Sequence, residues 1–220
     1  MKIPKISEEL AEETGWHIGD GSMNLYLRKG KEKGIYQLRG HIEDDKEHYL
    51  VRIKQLFEGL YNLKISLREM SSTRVFGFQI WNNELVNFKK SLGLPLGKKW
   101  DVLIPKVFLQ SRELKIAVIR GIFDTDGSIY LEKKNNKLYP TIYIGTICKS
   151  LAEQLEFILK EEGFRVTIYS QLNNLHFKRQ RYYKVNIRGV KMFHKFMEEI
   201  SPKNPKHIRK YHDFLSFKKL

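Results

Sequence analysis

The stretch "IRGIFDTDGSI", residues 119–129, sets two aspartates, Asp124 and Asp126, two apart and just ahead of a glycine. The preceding "ELKIAVIRGIF" reads as an apolar helix, and the following "SIYLEK" reads as a strand. Asp-Gly is ordinary turn chemistry, and Gly127 is expected to supply the left-handed residue that ends a helix. Yet carboxylates are misplaced at a helix C-terminus, where the macrodipole is already negative. A bound cation would resolve that conflict.

The motif occurs twice. In "ETGWHIGDGSM", residues 13–23, Asp20-Gly21-Ser22 aligns with Asp126-Gly127-Ser128 at an offset of 106, which sets Gly15 on Gly121. The parallel continues through "GSMNLYLRKG" and "GSIYLEKKNN", each an alternating strand. "IYQLRGHIEDD" and "TIYIGTICKS" are second strands entering a helix, and "KEHYLVRIKQLFEGLYN" and "LAEQLEFILKEEGF" are the helices. "LKISLRE" and "RVTIYSQ" give third strands; "FGFQIWNNELVNF" and "YYKVNIRGVKMF" each give a fourth strand and a helix. The chain is therefore expected to be α+β, with two pseudo-symmetric αββαββα halves, each carrying an antiparallel four-stranded sheet. Residues 1–92 form the N-terminal half, 93–110 a linker, and 111–220 the C-terminal half, whose basic tail restarts a helix after Pro205.

Within each motif helix, small residues stand four apart: Gly15 and Gly19 in the first, Gly121 and Thr125 in the second. Glycine inside a helix is about 1 kcal/mol less favourable than alanine. Paired at this spacing it lets two backbones approach closely. The two helices are expected to pack on each other about a pseudo-twofold axis, which brings Asp20 beside Asp126. Two carboxylates and two helix C-termini form an all-oxygen, negative site that suits a hard divalent cation, Mg²⁺ or Mn²⁺. Such a cation activates water and stabilises a leaving oxygen in phosphodiester hydrolysis.

Charge names the partner class. Forty Lys and Arg oppose 25 Asp and Glu, a net charge of +15. An extended polyanion is the natural partner, and no basic amphipathic helix with a strong apolar face points to a membrane. No run of eighteen apolar residues could span one, and the N-terminus has no signal-peptide core. The lone Cys148 excludes an intramolecular disulfide and a cysteine-based zinc site. The expected location is intracellular, in the cytoplasm or in an organelle with its own genome.

"IRGIFDTDG" resembles the signature of the LAGLIDADG homing endonucleases, and "TGWHIGDG" is a divergent copy in which Trp16, His17 and Ile18 depart from the pattern. The two-copy layout resembles the monomeric, intron-encoded members, with their two sheets forming a DNA-binding saddle. The resemblance implies site-specific cleavage of double-stranded DNA at a long target, with Mg²⁺ or Mn²⁺ held by Asp20 and Asp126. The carbonyls of Gly19 and Thr125 would assist, and Asp124 would be structural. The family also places a basic residue near each scissile phosphate. "GLPLGKKWDVLIP" points to Lys99 in the linker, and "NPKHIRK" points to Lys206 or His207. His17 is expected at the helix interface; His41, ending the second strand, is expected either in the active-site water network or as a core or capping residue.

Strand alternation assigns the reading surface. Asn24, Tyr26 and Arg28 are expected to face outward, with Gln37 and Arg39, then Lys64, Ser66 and Arg68, then Gln79. The second half adds Tyr130, Glu132 and Lys134, Thr141 and Tyr143, Thr167, Tyr169 and Gln171, and Tyr182, Lys184 and Asn186. Such rows suit base-edge reading in the major groove. Lys29 and Lys31, in the turn "RKGKEKG", suit phosphate anchoring. Two alternatives stand beside the endonuclease: an RNA maturase with intron RNA as partner, and an inactive DNA-binding regulator of the same fold. Retention of both aspartates speaks against the second. The absence of a splicing nucleophile at Met1 and of a terminal His-Asn speaks against an intein.

Overall fold

The computed structural model describes residues 1–70, 73–175 and 178–217, without the side chains of Arg28, 173–175 and 178–180. Helix α1 (Glu8–Gly19) and helix α5 (Arg112–Asp126) start in the same way. Ser7 and Ser111 each accept a hydrogen bond at 3.3 Å from the backbone N–H three residues on, with a glutamate in each first turn. Each helix passes directly into a strand. Gly127 is extended, with φ −85° and ψ 156°, so the expected left-handed cap is absent. The glycine is required for a different reason: a Cβ there would run into the ring and carbonyl of Phe123, and one at Gly21 would stand 2.6 Å from the Cα of His17. The strand folds back against the helix turn it leaves, and only glycine fits.

In the N-terminal half, β1 (Gly21–Arg28) and β2 (Lys31–His41) form a hairpin, and β3 (Arg68–Met70) and β4 (Val75–Trp81) complete the sheet in the order β1-β2-β4-β3. In the C-terminal half, β5 (Gly127–Lys134), β6 (Lys137–Thr146), β7 (Val166–Leu175) and β8 (Lys178–Arg188) repeat that order, all antiparallel. Both first hairpins turn on two residues of positive φ, Lys29-Gly30 and Asn135-Asn136. Those turns match the right-handed twist of the strands they join. The first turn is thus shorter than expected, and Lys31 opens β2 rather than lying in the loop.

Helical stretches back each sheet. In the first half these are α2 (Lys46–His48), a π-helical turn over Tyr49–Ile53, α3 (Lys54–Tyr61) and α4 (Asn83–Ser91). In the second they are α6 (Lys149–Glu161), α7 (Val190–Glu199) and α8 (Pro205–Phe217). Inward-facing strand residues such as Tyr36, Leu38, Phe78, Ile129, Ile142 and Val185 meet Phe57, Leu155 and Phe196 from these helices. The third strand of the first half is shorter than its sequence suggests. Residues 63–67 keep an alternating burial, but the N–H of Ile65 donates to the Glu58 carboxylate at 2.9 Å instead of joining a ladder. Lys64 and Ser66 therefore precede the sheet, and Lys64 lies 3.5 Å from Glu58.

α1 and α5 cross at the centre with almost no side chain between them. A Cβ on Gly15 would stand 2.8 Å from the Cα of Gly121, and a Cβ on Gly121 would run into the carbonyl of Glu12. The first half also encloses a buried ion pair. Glu13 accepts from Lys89, from the Tyr36 hydroxyl at 2.9 Å and from the Tyr61 hydroxyl at 2.8 Å. The aligned residue in the second half is Ile119, which lies in the apolar core. An uncompensated buried charge at either position would cost about 3–5 kcal/mol.

Candidate active site and nucleic-acid interface

The helix crossing carries both aspartates to one place. A Cβ built on Gly19 would stand 2.8 Å from the Cβ of Thr125 and 3.4 Å from the carboxyl carbon of Asp126. Asp20 follows Gly19 directly, so the two carboxylates lie side by side at the juxtaposed helix ends. Burial is the main force on both: it raises Asp126 to about 6 and Asp20 well above its ordinary value. Asp126 and Asp45 add repulsion at Asp20, whereas Lys206 and Lys99 oppose the rise. One oxygen of Asp20, Oδ2, is buried without a hydrogen-bond partner.

Both expected lysines reach this cluster. The Lys99 ammonium donates to the carbonyls of His17 (3.2 Å), Ile18 (2.7 Å) and Gly19, so it caps the negative end of α1. Burial lowers its pKa, opposed by Asp126 and Asp20. Lys206 forms an ion pair of 2.7 Å with Asp45. His207 takes another position: it is buried against the Phe123 ring, centroids 4.3 Å apart, with Nε2 3.1 Å from the Phe123 carbonyl. Burial holds its pKa well below the usual range. Between the two candidates, Lys206 stands at the carboxylates and His207 packs behind them.

Asp124 has a structural setting. It is fully buried and accepts 3.0 Å bonds from the backbone N–H groups of Lys203 and Asn204. Burial raises it to about 7, against those two bonds. His17 is buried, stacks on Tyr36 at 5.3 Å and is kept neutral by desolvation. His41 lies 3.3 Å from Asp44 and is 41% exposed. The Thr125 hydroxyl bonds back to the carbonyls of Gly121 and Ile122. Two residues at this site were not singled out by the sequence, Asp45 and Asn204, while Tyr182, expected on the outward row of the second sheet, also reaches it. Asp45 lies in the acidic "HIEDD" turn after β2 and Asn204 opens "NPKHIRK", but neither segment shows by itself that it meets the other. The Tyr182 hydroxyl occupies the space over Gly145, and burial and then Asp126 raise its pKa.

The site fits a hard divalent cation. Two desolvated carboxylates, one with an orphaned oxygen, are the right donors. Among the described residues no three His, Cys, Asp or Glu side chains form a ready-made cage. Further oxygens must come from backbone, water or a phosphate. The Gly19 carbonyl is already engaged by Lys99.

The outward strand faces form the second element. Cross-strand register places Gln37 opposite Gln79, and Arg39 and Arg68 on either side of Gly77. Gln79 Oε1 accepts from Gln37 (3.0 Å) and from Arg39 (2.8 Å). Burial and then the nearby Arg68 lower the Arg39 pKa. The same register adds Trp81, beside Tyr26 with ring centroids 6.3 Å apart; alternation two residues beyond Gln79 already implied its face. Arg28 closes β1, but its side chain lies outside the described residues. In the second sheet Tyr130, Lys134, Thr141, Tyr143, Tyr169 and Lys184 line one groove of about 860 Å³. Lys184 sits over the Tyr143 ring at 5.1 Å, Lys134 pairs with Glu132 at 2.9 Å, and Gln171 stands opposite Tyr182 in the ladder. Asn186 keeps the expected face, opposite Tyr143 in the ladder and lining the same groove, but it is largely buried and donates to the Lys184 carbonyl.

Residues 113–201 match the family model of the LAGLIDADG-like domain. Across nearly the whole chain the fold is that of solved two-domain LAGLIDADG enzymes. The homing endonuclease I-DmoI in complex with DNA and calcium superposes with a TM-score of 0.65 at 19% identity, covering 93% of this chain and 97% of that one. The LAGLIDADG homing endonuclease I-GzeII with its DNA target gives 0.58 at 12% identity, covering 98% and 89%. Residues 113–201 thus carry a LAGLIDADG-like domain, and the chain as a whole shares the fold of these structures. Its sequence is also 29% identical over 205 residues to a segment of the replication factor C small subunit of Methanocaldococcus jannaschii, covering 93% of this chain and 10% of that protein. A segment of the glutamine–fructose-6-phosphate aminotransferase of the same organism is 25% identical, covering 91% and 17%. The chain thus spans about a tenth to a sixth of these relatives.

Proposed function

We propose that this protein is a monomeric, site-specific endonuclease that hydrolyses both strands of a DNA duplex with divalent metal ions. One observation carries the reading: a protein of net charge +15 keeps two adjacent, desolvated carboxylates at the crossing of its duplicated helices, flanked by Lys99 and Lys206. A structural helix crossing has no use for that cluster. In this reading Asp20 and Asp126 hold Mg²⁺ or Mn²⁺. Held there, the ion would supply an activated water and neutralise charge at the leaving oxygen.

The chain's own groups do the rest. Lys99 and Lys206 place ammonium charge where the phosphate gains negative charge, in a site that is already partly dehydrated. The carbonyls of α1 fix Lys99 in position, so little reorganisation accompanies reaction. The outward rows from Asn24 to Lys184 contact base edges, and Lys29 and Lys31 contact phosphates. Support for DNA comes from I-DmoI, I-AabMI and I-GzeII, whose structures contain it; nothing comparable supports intron RNA. Segments like this one lie inside proteins of unrelated named activity, as expected of a mobile coding unit spread by such an enzyme. The workplace is the intracellular compartment holding the target DNA.

The test is to select cleaved members of a randomised duplex library with purified protein and Mg²⁺, then repeat with Asp20→Asn. A selected sequence cut by the wild type and spared by the variant supports the reading. Binding without any cleavage by the wild type would move the protein to the regulator class.

A further inference from the structure

We propose that Asp45 is a positioning residue that holds the Lys206 ammonium at the aspartate pair. The inference rests on the endonuclease reading and adds a third acidic residue with a role distinct from metal binding. Asp45 lies in the turn between β2 and α2 and is 5% exposed. Its Oδ1 accepts from Lys206 Nζ at 2.7 Å and from Asn204 Nδ2 at 2.9 Å. Its Oδ2 accepts from the backbone N–H of His41 at 2.9 Å. Both of its carboxylate oxygens are therefore engaged, and two of the bonds cross from the first half of the chain to the C-terminal segment, the one from Lys206 reaching the last helix.

The far side is held just as firmly. Asp124 binds the N–H groups of Lys203 and Asn204, and the Asn204 amide also donates to the Asp124 carbonyl at 2.8 Å. The Lys206 N–H donates to Asn204 Oδ1 at 3.1 Å. The C-terminal half thus fixes the backbone of Lys206, and Asp45 fixes the tip of its side chain. A lysine has a flexible four-carbon stem, and without such a tether its charge would spend its time in solvent. Gly40 makes the arrangement possible: a Cβ there would stand 2.9 Å from Asp20 Oδ2 and 2.9 Å from Asp45 Oδ2. Asp45 thus sits against the carboxylate it serves, while its own negative charge is covered by Lys206, Asn204 and His41.

The test has one arm without DNA and one with it. In the free protein, amine-selective labelling read by mass spectrometry should find Lys206 protected. Asp45→Asn should raise its labelling rate several-fold while leaving that of Lys98 unchanged. On the duplex selected with wild-type protein, Asp45→Asn should lower the single-turnover cleavage rate about 10–100-fold, with affinity in Ca²⁺ within about 2-fold, as loss of a preorganised charge implies. Lys206→Met should do the same, and the double variant should be no slower than Lys206→Met alone, because the two act as one unit. Additive losses, or unchanged Lys206 labelling in Asp45→Asn, overturn the proposal. If Asp45→Asn fails to fold, the Asn204→Ala variant, which removes one partner of Asp45, replaces it and should raise Lys206 labelling in the same direction. An active wild type with an unaffected Asp45→Asn rejects this inference alone, whereas an inactive wild type rejects the endonuclease reading and leaves the labelling arm to judge the tether.

Discussion

The C-terminal ends of α1 and α5 are related by the duplication, yet their carbonyls are satisfied by different chemistry. At α1 a single ammonium, Lys99, collects the carbonyls of His17, Ile18 and Gly19. At α5 the aligned carbonyls of Phe123 and Asp124 receive neutral donors, His207 Nε2 and Asn204 Nδ2. The lysine of that side, Lys206, is instead drawn away to Asp45. Ile18, where the second motif has Asp124, removes the acceptor that would have tied a segment to α1. Two halves with one fold can therefore carry unequal half-sites. The repeat preserves the backbone crossing and the aspartates, and leaves the supporting residues free to diverge.

The largest expected effect tests what the halves share. Asp20→Asn and Asp126→Asn should each lower single-turnover cleavage by at least about 10²–10³-fold, the scale of losing a transition-state stabiliser. DNA binding in Ca²⁺ should hold or tighten, since a negative charge is removed. Binding lost in parallel with cleavage would mark the aspartates as structural.

Next comes the crossing itself. Gly121→Val should destabilise the protein by about 3 kcal/mol or more, beyond an ordinary overpacked core, because the obstacle is the Glu12 backbone. A lower urea midpoint at unchanged slope is the expected result. A wild-type midpoint would mean that the helices are not in contact.

The aspartates also set a pH dependence opposite to that of a salt-bridged carboxylate. Burial raises Asp126 to about 6, so the folded protein binds its proton more tightly than the unfolded chain does. Stability contributed by this group is full below about pH 4, falls as pH rises to about 6, and stays low above that. In EDTA, Asp126→Asn should therefore stabilise the protein at pH 8 by roughly 1–3 kcal/mol, with the gain vanishing near pH 4. Melting temperatures at the two pH values decide it; equal gains at both would exclude the ionisation.

The smallest effects separate reading from anchoring. Arg39→Ala should relax preference at one base position by about 1–3 kcal/mol. Lys31→Ala should weaken all duplexes alike and make the salt slope shallower by about one charge. Cleavage profiling on variant sites, together with binding titrations in salt, exposes the reverse assignment if it holds.

The amino-acid sequence by itself determined the repeat, and the repeat determined most else. An offset of 106 between two Asp-Gly steps, small residues four apart and alternating strands sufficed for two αββαββα halves crossing at Gly15 and Gly121. These features are local or periodic, so they survive in one dimension. Tertiary structure alone decided what depends on distant segments meeting. Gly127 reads as a left-handed cap in sequence, but the ring of Phe123 is what demands it. Lys64 reads as a strand residue until Glu58 takes the N–H of Ile65. Lys206 and His207 are adjacent in the chain, and both are candidates for the same role on paper. One of them meets Asp45, 161 residues away, and the other is desolvated against Phe123, 84 residues away. A side chain's charge state and role are set by the dielectric and the partners around it, and no spacing rule carries that information.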